Sequence, residues 1–425
     1  VSHAPRLERG ASGLRVICET MPGARSVALG VWVGVGSRFE QPPESGVSHF
    51  LEHLLFKGTP RYDARRIAEI FDGLGGEINA ATSRDYTVVY ARVLDEHLAT
   101  ALAVVGDMVQ HPVFAELDRE REVVLEEIAM YEDEPQDVVH DLAVRAVFPD
   151  QPLGRPVIGT RDVVGSVPER DVRTYHRRHY RAPNMVLAAA GGIDPAGLLD
   201  MAAASLGELA SEGDANPIEP ARAGTPALIM REKPTEQYHV CVAGPGVSRD
   251  DPRRHAQSVL DTIVGGSMSS RLFQEIREKR GLVYSVGSYT MGFADTGLIG
   301  AYLGTREDNL AEACEILGRE LTRVAEERID EDELTRAKEH IKGRVVLGLE
   351  SPATRMNRLG RTVLAETELL SVDELLARID AVTAEDLREL AREMWHPRNL
   401  SAAAIGARGA VVERALRPRF GQLVA

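Results

Sequence analysis

An internal repeat at a spacing of 215 residues constrains the fold more than any other feature of this chain. Val167, Asp171, Arg173, Asn184, Ala188, Ala189 and Gly191 recur without a gap as Val382, Asp386, Arg388, Asn399, Ala403, Ala404 and Gly406. Each stretch reads as a helix, a short proline-containing turn and an apolar strand ending in glycine, with Tyr180 and Trp395 in the same place before the turn. The openings of the halves match more loosely. Strand patterns at Val27–Gly36 and Tyr238–Gly246 are each followed by a helix, then by strands at Tyr86–Val93 and Gly297–Leu303, then by helices starting near Glu96 and Asn309. With 425 residues there is material for more than one core. The repeat predicts two domains of one topology, as after gene duplication. Strand runs interleaved with helix pairs predict the α+β class, each domain a mostly antiparallel sheet covered by helices. Ser211–Pro226, with three prolines, two glycines and little apolar periodicity, reads as the junction. The expected boundaries are 1–212, a linker at 213–226, and 227–425.

The apolar fraction of 44% is that of a globular chain, and a membrane span is not expected. The most apolar long stretch, Met185–Ala210, is interrupted by Asp194, Pro195, Asp200 and Glu208. Val1–Arg9 has no apolar core of a secretory signal. The three cysteines, Cys18, Cys241 and Cys314, are scattered and read as reduced thiols. Together these predict a cytoplasmic protein. A net charge of −15 argues against a nucleic-acid partner and is compatible with basic peptides.

Only the first half carries His49-Phe50-Leu51-Glu52-His53, the H-x-x-E-H pattern of inverted zinc peptidases. On a helix, residues i, i+3 and i+4 share a face, so His49 and His53 can hold one ion with Glu52 beside it. Two imidazoles and an open position suit catalytic zinc, and the neighbouring carboxylate can take a proton from zinc-bound water. Leu51, Leu54, Leu55 and Phe56 make the helix apolar, and Gly58-Thr59-Pro60 ends it. A charged cluster in so apolar a helix is costly without an ion. A third ligand must come from elsewhere, and the acidic helix predicted over Asp118–Tyr131 offers Glu120, Glu122, Glu126 and Glu127. Glu120, Val123, Val124, Glu127 and Ile128 follow the helical apolar stripe, so Glu120 and Glu127 face inward while Glu122 and Glu126 point outward. His176 and His179 also stand three apart, but the arginines between them suggest a solvated face.

His49 to Thr59 as a whole, with Arg119 to Glu127, resembles the M16 metallopeptidases, the pitrilysin and insulin-degrading enzyme family. The similarity is strongest to its short bacterial and processing-peptidase β-subunit-like members, and it runs from about Leu14 to Gly406. The resemblance implies the metallohydrolase fold of that family and one Zn²⁺ per subunit. It selects Glu127, 74 residues beyond His53, as the third ligand, with Glu120 supporting it. Gly265–Phe273 and Arg277–Ser285 match the family's second half. By their residue types alone, Arg277 reads as a surface charge and Tyr284 as a core strand residue. The resemblance instead gives them to the substrate backbone and the scissile carbonyl. It likewise makes Gly76–Thr82 an edge strand on which Asn79 and Ala80 align a peptide. It implies a zinc endopeptidase acting on peptides or unfolded segments enclosed by a homodimer, with Arg277 and Tyr284 completing the partner's site. The alternatives are a separate partner chain, or a peptide-binding or scaffold subunit.

Overall fold

The computed structural model of the protein describes residues 4–424, so the first three residues of the N-terminal stretch read for a signal lie outside it. Eleven strands form two sheets among the described residues. The first contains β1 (Arg6–Arg9), β2 (Arg15–Thr20), β3 (Ser26–Val33), β4 (Glu77–Thr82), β5 (Thr87–Leu94) and β6 (Met185–Gly191), in the order β1-β2-β6-β3-β5-β4. The second contains β7 (Leu228–Glu232), β8 (Tyr238–Gly246), β9 (Ser285–Gly292), β10 (Gly297–Thr305) and β11 (Ser401–Gly406), in the order β7-β11-β8-β10-β9. Apart from β1 the two orders are the same, so the repeat in sequence is a repeat in topology. β2 runs parallel to β6, and β7 to β11; every other pairing is antiparallel. The protein is α+β, with mixed, largely antiparallel sheets covered by helices.

Each sheet is apolar on both faces, because side chains alternate along a strand and every position of β3 after Ser26 is buried. On β3, Val27, Leu29, Val31 and Val33 enter one cluster with the motif helix Val47–Leu55. Ala28 and Trp32 enter another with Met356, Leu359 and Val363 of the helix Pro352–Leu364. Gly30 and Gly360 let that helix approach. A Cβ on Gly360 would stand 2.1 Å from Trp32 Nε1. In the second sheet, Cys241, Ala243, Leu298, Ala403 and Ile405 are covered by Val139, Ala143, Val144 and Val147 of the helix Pro135–Val147.

The two compact units are therefore not contiguous along the chain. One comprises residues 1–129, 155–218 and 346–371, and the other 130–154, 219–345 and 372–425. A single cut at 213–226 does not delimit them, because each sheet needs a second apolar layer and draws that helix from the other half of the sequence. The segment 212–226 itself contains no helix or strand. The three cysteines are buried and unpaired. No helix among the described residues is long and apolar enough to cross a membrane.

Candidate metal centre

The motif helix begins at Gly46, whose φ of 94° is in the left-handed region, and no N-cap side chain serves it. Its first amides are taken by a residue from outside the helix. Glu40, fully buried, accepts from Gly46 N and Ser48 N, each at 2.8 Å. Burial pushes this carboxyl up to about 7, against the pull of those same amides. Ser48 Oγ is bound to Tyr175 OH at 2.7 Å. The helix ends at Leu55 and the chain turns at Gly58, φ 117°, where a Cβ would crowd Tyr62 O.

His49, His53 and Glu127 converge, each offering one ligand atom within 4.8 Å of the others, and they are the one such group found among the described residues. Glu127 Oε2 lies 3.7 Å from His49 Nε2 and 3.3 Å from His53 Nε2. His53 Nδ1 stands 2.9 Å from Glu120 Oε1. A carboxylate only accepts, so Nδ1 donates to Glu120, and Nε2 is the ring nitrogen that faces Glu127 and the cluster. Glu120, 7% exposed in its side chain, also holds Lys57 Nζ at 2.6 Å. His49 Nδ1 is buried without a partner, which leaves Nε2 as the ring's outlet. Burial, with the adjacent His53, holds His49 down at about 4, so its imidazole is neutral near pH 7. Two imidazoles and one carboxylate, one imidazole backed by a second carboxylate, are a donor set that fits zinc.

Glu52 faces the same cluster, and burial raises its pKa while a hydrogen bond from Thr82 opposes the shift. Thr82 Oγ1 donates to Glu52 Oε2 at 2.5 Å. Thr82 is the last residue of β4, which lies at the edge of the first sheet. Asn79 and Ala80 are on this strand, Asn79 exposed and Ala80 buried, paired on one side with Tyr90 and Val89 of β5.

Arg277 and Tyr284 belong to the other compact unit. Arg277 sits in a π-helical stretch, Phe273–Glu278, with its guanidinium over the rings of Phe273 (4.7 Å) and Tyr284 (5.4 Å). Tyr284 is 80% exposed and precedes β9, so the core-strand reading of its residue type does not hold.

Two other expectations are corrected. Val123 is 49% exposed, because it lies about 100° around the helix Leu117–Asp133 from the centre of the Glu120–Val124–Ile128 face. His176 and His179 are buried. With Val172 and Tyr175 they make the inward stripe of the helix Glu169–His179, where His176 Nε2 meets Val109 O at 2.8 Å and His179 Nδ1 meets Asn216 at 3.1 Å. Sequence reading did not assign roles to Glu40, Lys57 or Thr82. Lys57 follows His53 by four residues, which was a usable signal; Glu40 and Thr82 reach the site only through the fold.

Comparison with known proteins identifies the family. A family model described as insulinase, peptidase family M16, matches residues 15–161, and one described as the peptidase M16 inactive domain matches residues 166–341. A Streptomyces coelicolor protein described as an uncharacterized zinc protease is 46% identical over 393 residues, 90% of this chain and 85% of that one. A Bacillus subtilis protein of the same description is 41% identical over 386 residues, 90% of this chain and 94% of its own. In fold, the chain is similar to a Pseudomonas fluorescens structure described as a peptidase M16 inactive domain, with TM-score 0.90, 21% identity, and coverage of 96% and 99%. It is also similar to a Helicobacter pylori protease, with TM-score 0.88, 20% identity, and coverage of 95% and 99%. This chain belongs to the M16 peptidase family, beside bacterial relatives described as zinc proteases.

Proposed function

We propose that the protein is a zinc-dependent endopeptidase for peptides or unfolded segments. The observation that carries this reading is the convergence of His49, His53 and Glu127 with Glu52 alongside. A scaffold or pure binding subunit would have no use for such a convergence of polar groups, with His49 largely buried and held neutral by its desolvation. His49, His53 and Glu127 would hold the ion, which when bound supplies a Lewis acid and lowers the pKa of a coordinated water. Glu120 orients His53 and fixes its tautomer. Glu52 takes the proton of the attacking water and passes it to the leaving amine. Asn79 and Ala80, on the free side of β4, offer backbone groups to which an extended peptide can add as a strand. Tyr284 and Arg277 are donors suited to an oxyanion, and we assign them to the scissile carbonyl of a substrate held in a homodimer.

The test is cleavage of a mixed peptide library by zinc-loaded protein beside Glu52→Gln. Cleavage by the unaltered protein alone supports the reading, and equal cleavage by the variant removes Glu52 from its role. No cleavage by a zinc-loaded, dimeric sample would favour a binding subunit.

A further inference from the structure

Three hydroxyls lie behind Glu52. Thr82 Oγ1 is 2.5 Å from Glu52 Oε2 and 3.3 Å from Thr87 Oγ1, its cross-strand partner. Thr87, fully buried, donates to Val35 O at 2.9 Å. Tyr180 is also buried, close enough to feel the charge of Glu52. A hydroxyl has one proton to give. The Thr87 proton is committed to Val35 O, so none can pass from Thr87 to Thr82. The short distance commits the Thr82 proton to Glu52. Oε2 of Glu52 is therefore held as an acceptor.

Resting on the peptidase reading, we propose that Thr82 is a positioning residue: its hydroxyl pins Oε2 of Glu52 and leaves Oε1 as the oxygen that receives the water proton. Thr82 closes β4, the strand to which a peptide would add. The general base is thus fastened to the strand that aligns the substrate, and a peptide that shifts β4 shifts the base with it. Without the hydroxyl the carboxylate keeps only the backbone N–H of Thr82, a single donor that does not fix which oxygen turns toward the cluster. Proton transfer depends on that geometry, whereas binding of the peptide backbone along β4 does not.

The experiment compares Thr82→Val, which matches the shape without the hydroxyl, and Thr82→Ser, which keeps the hydroxyl, in the full-length zinc-loaded protein. The expected result for Thr82→Val is a fall in kcat of roughly 10- to 100-fold with KM and zinc content within about twofold, and recovery of most of kcat in Thr82→Ser. Equal kcat in Thr82→Val and the unaltered protein overturns the proposal. So does a loss confined to zinc content or thermal stability, which would make Thr82 structural. Crystal structures of both variants give a readout independent of activity. The Glu52 carboxylate should leave its present orientation in Thr82→Val and keep it in Thr82→Ser, and an unmoved carboxylate in Thr82→Val refutes the idea even if no substrate is found. Absence of cleavage by the unaltered zinc-loaded protein would instead count against the peptidase reading.

Discussion

Removing Glu120 should weaken zinc binding far more than it weakens the fold. Its carboxylate is nearly buried and makes two contacts, His53 Nδ1 at 2.9 Å and Lys57 Nζ at 2.6 Å. In Glu120→Ala, Lys57 loses a partner, but its side chain is 28% exposed and can return to water. The alanine also relieves the desolvation of a carboxylate, so the net change in the metal-free fold stays within about 2 kcal/mol. For His53 the loss bears on the metal-binding face of the ring. Without an acceptor at Nδ1 the ring can carry its proton on either nitrogen, and the Nε2 lone pair is no longer guaranteed. Loss of an outer-shell carboxylate of this kind costs about 10- to 100-fold in metal affinity, or roughly 1.4–2.7 kcal/mol. Glu120→Gln keeps an oxygen for Nδ1–H and should lose less than about tenfold. The assay is competition for zinc against a chromophoric chelator at fixed pH, with urea unfolding of the metal-free proteins beside it. If Glu120→Ala binds zinc within about twofold of the unaltered protein, the carboxylate does not set the state of His53 and the reasoning fails.

Three further outcomes can be measured. Glu40 is raised from 4.5 to about 7 in the fold, so the folded state binds its proton more tightly than the unfolded chain. Its contribution is fully present below about pH 4.5 and is lost as pH rises through about 7, a change of about 3 kcal/mol, order of magnitude only. Urea unfolding should therefore show a decline over that window that Glu40→Gln flattens, and matching slopes would remove Glu40 as its source. Gly360→Ala should cost about 1–3 kcal/mol, because the new methyl would meet Trp32 Nε1 at 2.1 Å; an unchanged urea midpoint would mean that the helix Pro352–Leu364 can lift off its sheet freely. If Arg277 serves the partner subunit, mixing Glu52→Gln with Arg277→Ala chains should restore part of the activity. No recovery in confirmed mixed dimers would place Arg277 in its own subunit's site.

The parts of this protein that could be read from its residues are those in which one element carries the whole signal. His49, Glu52 and His53 lie on a single helical turn, and Glu120 and Glu127 share one helical face, so spacing alone brought each set to one side. The 215-residue repeat predicted one topology for both halves because the stretches ending in β6 and β11, with the helices before them, match at fixed positions without a gap. Covering layers were not readable in this way. Pro135–Val147 and Pro352–Leu364 are amphipathic helices that would fit many sheets, and nothing local says which sheet each covers. The same limit explains His176 and His179. Their burial depends on Val109 and Asn216 arriving from distant parts of the chain, while the adjacent arginines made the helix look wet. Tyr284 failed for a third reason: an aromatic residue before a strand is usually core, but this one stands 80% exposed with Arg277 over its ring.

The two halves also show what separates the sheet beside the candidate metal centre from the sheet without one. Strand order cannot be the difference, since β2-β6-β3-β5-β4 and β7-β11-β8-β10-β9 are the same. The three candidate ligands alone are not a sufficient account either, because polar groups on an apolar helix need polar neighbours. Around the motif helix these neighbours come from every side: Glu40 and the Ser48–Tyr175 pair at its start, Glu120 with Lys57 at its end, and Thr82 behind Glu52. The corresponding helix of the second half, Arg254–Val264, turns Val259, Leu260, Ile263 and Val264 inward and joins an apolar core. The repeat pair Tyr180 and Trp395 records the same divergence at one position. Both are buried at the same place before the turn, but Tyr180 brings a hydroxyl near Glu52, whereas Trp395 joins the apolar core of its half. Introducing H-x-x-E-H into the second half would therefore place polar and charged groups against Val259, Leu260, Ile263 and Val264 and the core they join. It would lower stability rather than create a second metal centre, unless the surrounding polar groups were rebuilt with it.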